Sequence, residues 1–165
     1  MAKKKNKNSA AKSAPMLAAL LGIISIIMIF LPAIAIKDAD TTYSGLQVAF
    51  GYTEDTVLGD IVHVEFSFMN LLTYILAIVG TVFTILGILG KGGKFALFIA
   101  AAALIVSGIF FFLSVAFCVP TETASGILGA LGGDVKEGYS LGVGSIIGGI
   151  TAILAGLANL FAMFK

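Results

Sequence analysis

The sequence predicts an all-α membrane protein, a four-transmembrane-helix bundle with a small extracellular β-hairpin between helices 1 and 2. Three observations lead there. First, 59% of the 165 residues are apolar and 12% are charged, whereas a soluble domain carries about 25% charged residues. That leaves too little polar surface to cover a water-soluble globule. Second, four uncharged apolar windows each reach the ~20 residues needed to cross hydrocarbon. Third, the ten basic residues, all Lys, and the nine acids sort into alternating loops. Four spans, a tail and two modest loops use up the chain and leave no room for a separate catalytic domain.

Residues 1–15 form a tail that holds Lys3, Lys4, Lys5, Lys7 and Lys12 and no acid. A Lys run can bind nucleic acid, but beside a long apolar stretch it marks the cytoplasmic flank of a membrane helix, and no nucleic acid is expected as a partner. Anionic lipid would attract the same tail by about 1 kcal/mol per Lys near the surface. The first span covers 16–36. Its basic flank, apolar stretch and Ala33-Ile34-Ala35 imitate a secretory signal with its cleavage site. The apolar stretch is longer than the usual ~7–15 residues of a signal, so a retained helix is expected.

The first extracellular loop, 37–66, is patterned. Leu46, Val48, Phe50 and Tyr52 alternate with Gln47, Ala49, Gly51 and Thr53, and Val62, Val64 and Phe66 alternate with Ile61, His63 and Glu65. Two period-2 runs separated by Thr53-Glu54-Asp55-Thr56 predict a hairpin. A lone hairpin is marginal in water, so its apolar face, with Leu46, Val48, Phe50, Tyr52, Val62 and Val64, is the candidate extracellular contact surface. Span two, 67–90, and span three, 95–119, are joined only by 91–94, where Lys91 and Lys94 mark a cytoplasmic turn. Cys118, the single cysteine, rules out an intramolecular disulfide; it reads as a small buried or lipid-facing residue, with an intermolecular bridge as the alternative. The second extracellular loop, 120–140, opens on Pro120, and Ile127, Leu128 and Leu131 between glycine pairs suggest a short interfacial turn. Span four covers 141–164.

These assignments place eight Lys and no acid on the inside, and two Lys with all nine acids on the outside. Both termini are therefore expected in the cytoplasm of a plasma-membrane, multi-pass protein.

Small residues recur on span faces: Gly144, Gly148, Ala152 and Gly156 in the fourth; Ala77, Gly80 and Gly87 in the second; Ala18 and Gly22 in the first. Such faces let backbones approach where no hydrophobic force drives helices together. They pack either the four helices of one chain or a homo-oligomer or membrane-protein partner. None of the spans carries an ionisable group of the kind that marks a coupled carrier. His63, Glu65 and Asp60 are too few neighbouring ligands for a usual metal site, and the Gly142–Gly149 run lacks the strand and acid of a dinucleotide loop. No catalytic residue, cofactor or metal is expected, and the chain is not read as an enzyme.

The order tail, span, β-rich loop, span, short turn, span, loop, span resembles claudin and peripheral-myelin-type four-span proteins, with Gly45-Leu46 and the run from Ile61 to Phe66 carrying the likeness. That family has a longer first loop with a tryptophan signature and a disulfide pair; this chain has no Trp and a single Cys. Thr42-Tyr43-Ser44-Gly45-Leu46-Gln47 and the Gly-rich last span resemble small membrane proteins of low-GC bacteria. The expected function is a non-enzymatic structural or interaction component, self-assembling or accessory, in the lipid bilayer. The alternative is a pore-forming or transporter subunit.

Overall fold

The computed structural model describes residues 2–37, 40–56, 59–121 and 135–164. Among these residues, four helices are long and apolar enough to cross a membrane. They are α1 (Ala2–Ile27), continued by a 3-10 turn at Met28–Phe30, then α3 (Phe68–Ile88), α4 (Gly93–Phe112) and α6 (Val143–Met163). The apolar parts, of 18 to 21 residues, measure about 27–32 Å at helical rise, the thickness of a hydrocarbon core. The helices pack as a ring, α1 against α3, α3 against α4, α4 against α6 and α6 against α1, each antiparallel to its neighbours. Tight turns make this possible at one end: Gly90, Gly92 and Gly93 all take positive φ in the connection between α3 and α4.

At the other end the chain builds a β cap. Its strands are β1 (Pro32–Ile36), β2 (Thr42–Ser44), β3 (Tyr52–Thr56), β4 (Gly59–Glu65), β5 (Val119–Pro120) and β6 (Tyr139–Leu141), with short helices α2 (Gly45–Phe50) and α5 (Ser114–Phe117). One antiparallel sheet has the order β2-β1-β6 and the other β3-β4-β5. Ile34 lies opposite both Tyr43 and Leu141, and Val64 opposite both Tyr52 and Pro120. Each sheet therefore joins the segment between α1 and α3 to the segment between α4 and α6.

The cap corrects three expectations. Helix does not reach residue 36: Leu31 is extended at ψ 162°, because a following proline disfavours helical backbone and has no N–H to continue the ladder. The freed Pro32–Ile36 segment becomes the central strand of a sheet. Nor is Leu46–Phe50 a strand. Ser44 and Gln47 form a reciprocal capping box, the Gln47 N–H donating to Ser44 Oγ and the Ser44 N–H to Gln47 Oε1, which starts α2 at Gly45. A hairpin is present, but it pairs β3 with β4, so Thr53–Thr56 is strand and not its connection. The expected turn at Ile127, Leu128 and Leu131 lies outside the described residues.

Candidate functional site

The cap has its own core. Ala33 and Ile34 of β1, Tyr43 of β2, Val48 of α2, Val64 of β4 and Cys118 are buried together, with Ile36, Tyr52, Val115 and Tyr139 packed against them. The Tyr43 and Tyr52 rings tilt against each other at 6.2 Å. Cys118 is thus enclosed, which leaves no room for the intermolecular bridge considered from sequence, and burial pushes its thiol up to about 11 despite the nearby Lys136. Burial also raises the Tyr139 phenol, with Cys118 and Tyr43 adding to the effect. Two lysines tie the cap's segments together. Lys37 Nζ donates to the Glu137 carbonyl at 2.7 Å, and Lys136 Nζ donates to the Ala116 carbonyl in α5 at 2.9 Å, where a cation meets the carbonyl end of a helix turn.

Cap and helices meet in a polar girdle. α4 breaks at Leu113, which frees carbonyls that need donors. Ser67 caps α3, its Oγ accepting from the Asn70 N–H and from Asn70 Nδ2 and donating to the Phe117 carbonyl at 2.6 Å. Asn70 Nδ2 also reaches the Ser114 carbonyl at 3.3 Å, and Ser145 Oγ on α6 donates to Ser114 Oγ at 3.1 Å. Two of the four long helices, α3 and α6, are locked to α5 by these bonds, where a bare break would be costly in an apolar medium.

Below the girdle, the small residues singled out from sequence face other helices of the same chain. A Cβ on Gly148 would lie 2.7 Å from Phe111, one on Gly156 2.6 Å from Ile105, one on Gly80 2.6 Å from Leu104 and one on Gly87 2.5 Å from Leu97. Gly22 sits against the Thr81 hydroxyl, and Gly144 against the carbonyls of Met28, Leu31 and Pro32. Ala18 packs with Leu104 and Ala155 across the ring, and Ala152 with Tyr74 and Phe111. Ala77 is fully buried, and its carbonyl accepts from Thr81 Oγ1 at 2.8 Å. Towards the far end, Asn159 Nδ2 on α6 donates across the ring to Thr84 Oγ1 on α3 at 2.7 Å, while Asn159 Oδ1 is buried without a partner.

The residues expected to form one contact face divide. Val48 and Val64 are buried in the cap core, Tyr52 is half-buried, and Leu46 and Phe50 are exposed. In an α2 helix residues 46 and 50 share one face while Val48 turns inward, so the strand alternation cannot hold them together. Val62 stands opposite Thr53 in the hairpin; its side chain lies outside the described residues. Lys91 and Lys94 are exposed at the far end. Lys3, Lys4, Lys5, Lys7 and Lys12 fall on α1, which extends the helix through the tail; their side chains lie outside the described residues. Sequence reasoning missed Ser44, Ser67 and Ser25, which donates to the Gly22 carbonyl at 2.7 Å. The Ser44-x-x-Gln47 spacing was the available signal for the first. Among the described residues no group of three or more His, Cys, Asp or Glu comes together.

No protein-family model matches the chain, and no curated protein matches it.

Proposed function

We propose that the chain is a non-enzymatic, multi-pass component of the plasma membrane whose helices form a rigid pedestal and whose β cap, on the outside, meets another membrane protein or a second copy of the chain. The cap carries this reading. It is assembled from segments far apart in sequence, with β1 paired to β6 across about a hundred residues, and is fastened to the pedestal by the Ser67-Asn70-Ser114-Ser145 girdle. Helix connections alone need no such layer. The Lys distribution supports cytoplasmic termini and an external cap, with Lys91 and Lys94 at the opposite end from both sheets. The likeness in element order to claudin and peripheral-myelin-type proteins fits a pedestal bearing a β-rich layer.

The small-residue faces favour contacts through the cap over contacts through the helices, since those faces already pack within the chain. For the same reason a pore or transporter subunit would need several copies to make a path. The test is photo-crosslinking in native membranes from a benzophenone residue placed at Thr42 or Glu65, both exposed on the cap. A discrete adduct from the cap and none from Ile78 on α3 supports the proposal. Adducts only from the helices would refute it.

A further inference from the structure

We infer that α2 is a membrane-surface anchor, whose Leu46 and Phe50 lie in the acyl-headgroup boundary of the lipid leaflet on the cap side. This rests on the reading of the four long helices as membrane spans. Position is the first argument. The Gly45 N–H donates to the Leu31 carbonyl at the end of the first long helix, and the Ser67 N–H, at the start of α3, donates to the Ala49 carbonyl, both at 3.2 Å. The six-residue helix is therefore strung between the ends of two spans, at the depth where apolar helix gives way to cap. Gly45 fits there because a Cβ would strike the Tyr74 hydroxyl of α3 and approach the Ile29 carbonyl.

The faces of α2 supply the second argument. Gly45, Val48 and Ala49 turn inward and are buried. Leu46 and Phe50, one turn apart, turn away from the protein, and Phe50 is 57% exposed. The helix has one polar side chain, Gln47, and that is held in the capping box with Ser44. Nothing on its outward face can hydrogen-bond water.

Continuity is the third. Phe30 at the end of the first span is 68% exposed and Phe68 at the start of α3 is 59% exposed, with Phe66 and Leu31 beside them in sequence and also exposed. These join α2 to the apolar surfaces of the spans, where Ile23, Ile27, Ile75 and Ile78 are exposed in the same way. A surface continuous with the lipid-facing sides of two spans, aromatic at its rim and uncharged, fits the boundary of a bilayer. The cap would then lie on the membrane between the first span and α3, and its remaining surface would face outward.

The chain has no tryptophan, so Phe50→Trp introduces a single fluorophore for a direct test in proteoliposomes. Phe98→Trp, on the exposed side of α4, serves as the membrane control. The inference expects Phe50→Trp emission to fall about twofold when the lipid is brominated near the glycerol end of its chains, and less when it is brominated near the methyl end. Leu46→Trp repeats the measurement from the same face should Phe50→Trp fail to fold. Quenching by aqueous acrylamide with none by brominated lipid would overturn the inference. Resistance to both quenchers would also overturn it, by showing that a protein surface covers the helix. If Phe98→Trp too escapes brominated lipid, the membrane reading itself fails; if only the α2 tryptophans escape, the anchor alone fails.

Discussion

Replacing Gly148 by alanine should destabilise the folded chain without changing its oligomeric state. The added Cβ would stand 2.7 Å from Phe111 Cε1 and 3.0 Å from Cδ1 and Cζ, against about 3.5–4.0 Å for comfortable carbon contact. The ring must therefore retreat by roughly 0.8–1.3 Å. It has nowhere easy to go, because Phe111 is fully buried and edge-on to the buried Tyr74 ring at 5.1 Å. Overpacking of this kind costs about 1–3 kcal/mol. For a chain of this size that is about 2–12 °C in melting temperature, at roughly 2–4 °C per kcal/mol. Thermal unfolding in mild detergent can be followed with a thiol-reactive dye, since Cys118 is the single cysteine and is buried until the cap opens. Gly138→Ala is the control, with nothing within 4 Å of its added Cβ; it should stay within about 0.5 kcal/mol of the parent. Adding Phe111→Leu to Gly148→Ala should recover part of the loss, as coupled neighbours do. An unchanged melting temperature together with loss of a higher oligomer would refute the reasoning, because Gly148 would then pack against a second chain.

Three further outcomes follow from the same contacts. Thr84→Val should destabilise by about 1–3 kcal/mol because it strips the buried Asn159 amide of its one partner, whereas Asn159→Leu should cost less than about 1 kcal/mol, since the Thr84 hydroxyl still donates to the Gly80 carbonyl; equal losses in thermal unfolding would contradict this. Ser44→Ala should cost about 1 kcal/mol by removing the α2 cap, seen as earlier dye access to Cys118. With its thiol near 11 and not near 9, folded Cys118 should react with iodoacetamide at pH 8 about 100-fold more slowly than an ordinary thiol on thiolate fraction alone; the unfolded chain ionises first, so stability should fall as pH rises above about 9 and level off near 11, which pH-dependent melting checks.

The four long helices were legible because uncharged apolar windows of sufficient length admit little else. Their ends at the cap were not. Leu31 to Ile36 is apolar throughout, so hydropathy runs straight through Pro32, and the strand that claims Ile34 and Ala35 lies at Tyr139–Leu141, too remote for any local pattern to announce. Leu46-Gln47-Val48-Ala49-Phe50 satisfies a two-residue alternation and a helical face at once. What decides between them is Ser44 with Gln47, a capping signal that the alternation overshadowed. Of the girdle serines, Ser114 and Ser145 stand out in the sequence as polar residues in apolar windows, and Ser67 does not. Their joint role needed the break at Leu113, which sequence does not mark.

On the proposed function, the cap is the external contact surface of a membrane-embedded pedestal. In intact cells, a benzophenone at Thr42 should crosslink to one discrete protein, or to a second copy of the chain, at native expression level, while one at Ile78 should label lipid only. Lipid adducts alone from Thr42, together with a monodisperse monomer on solubilisation, would contradict it.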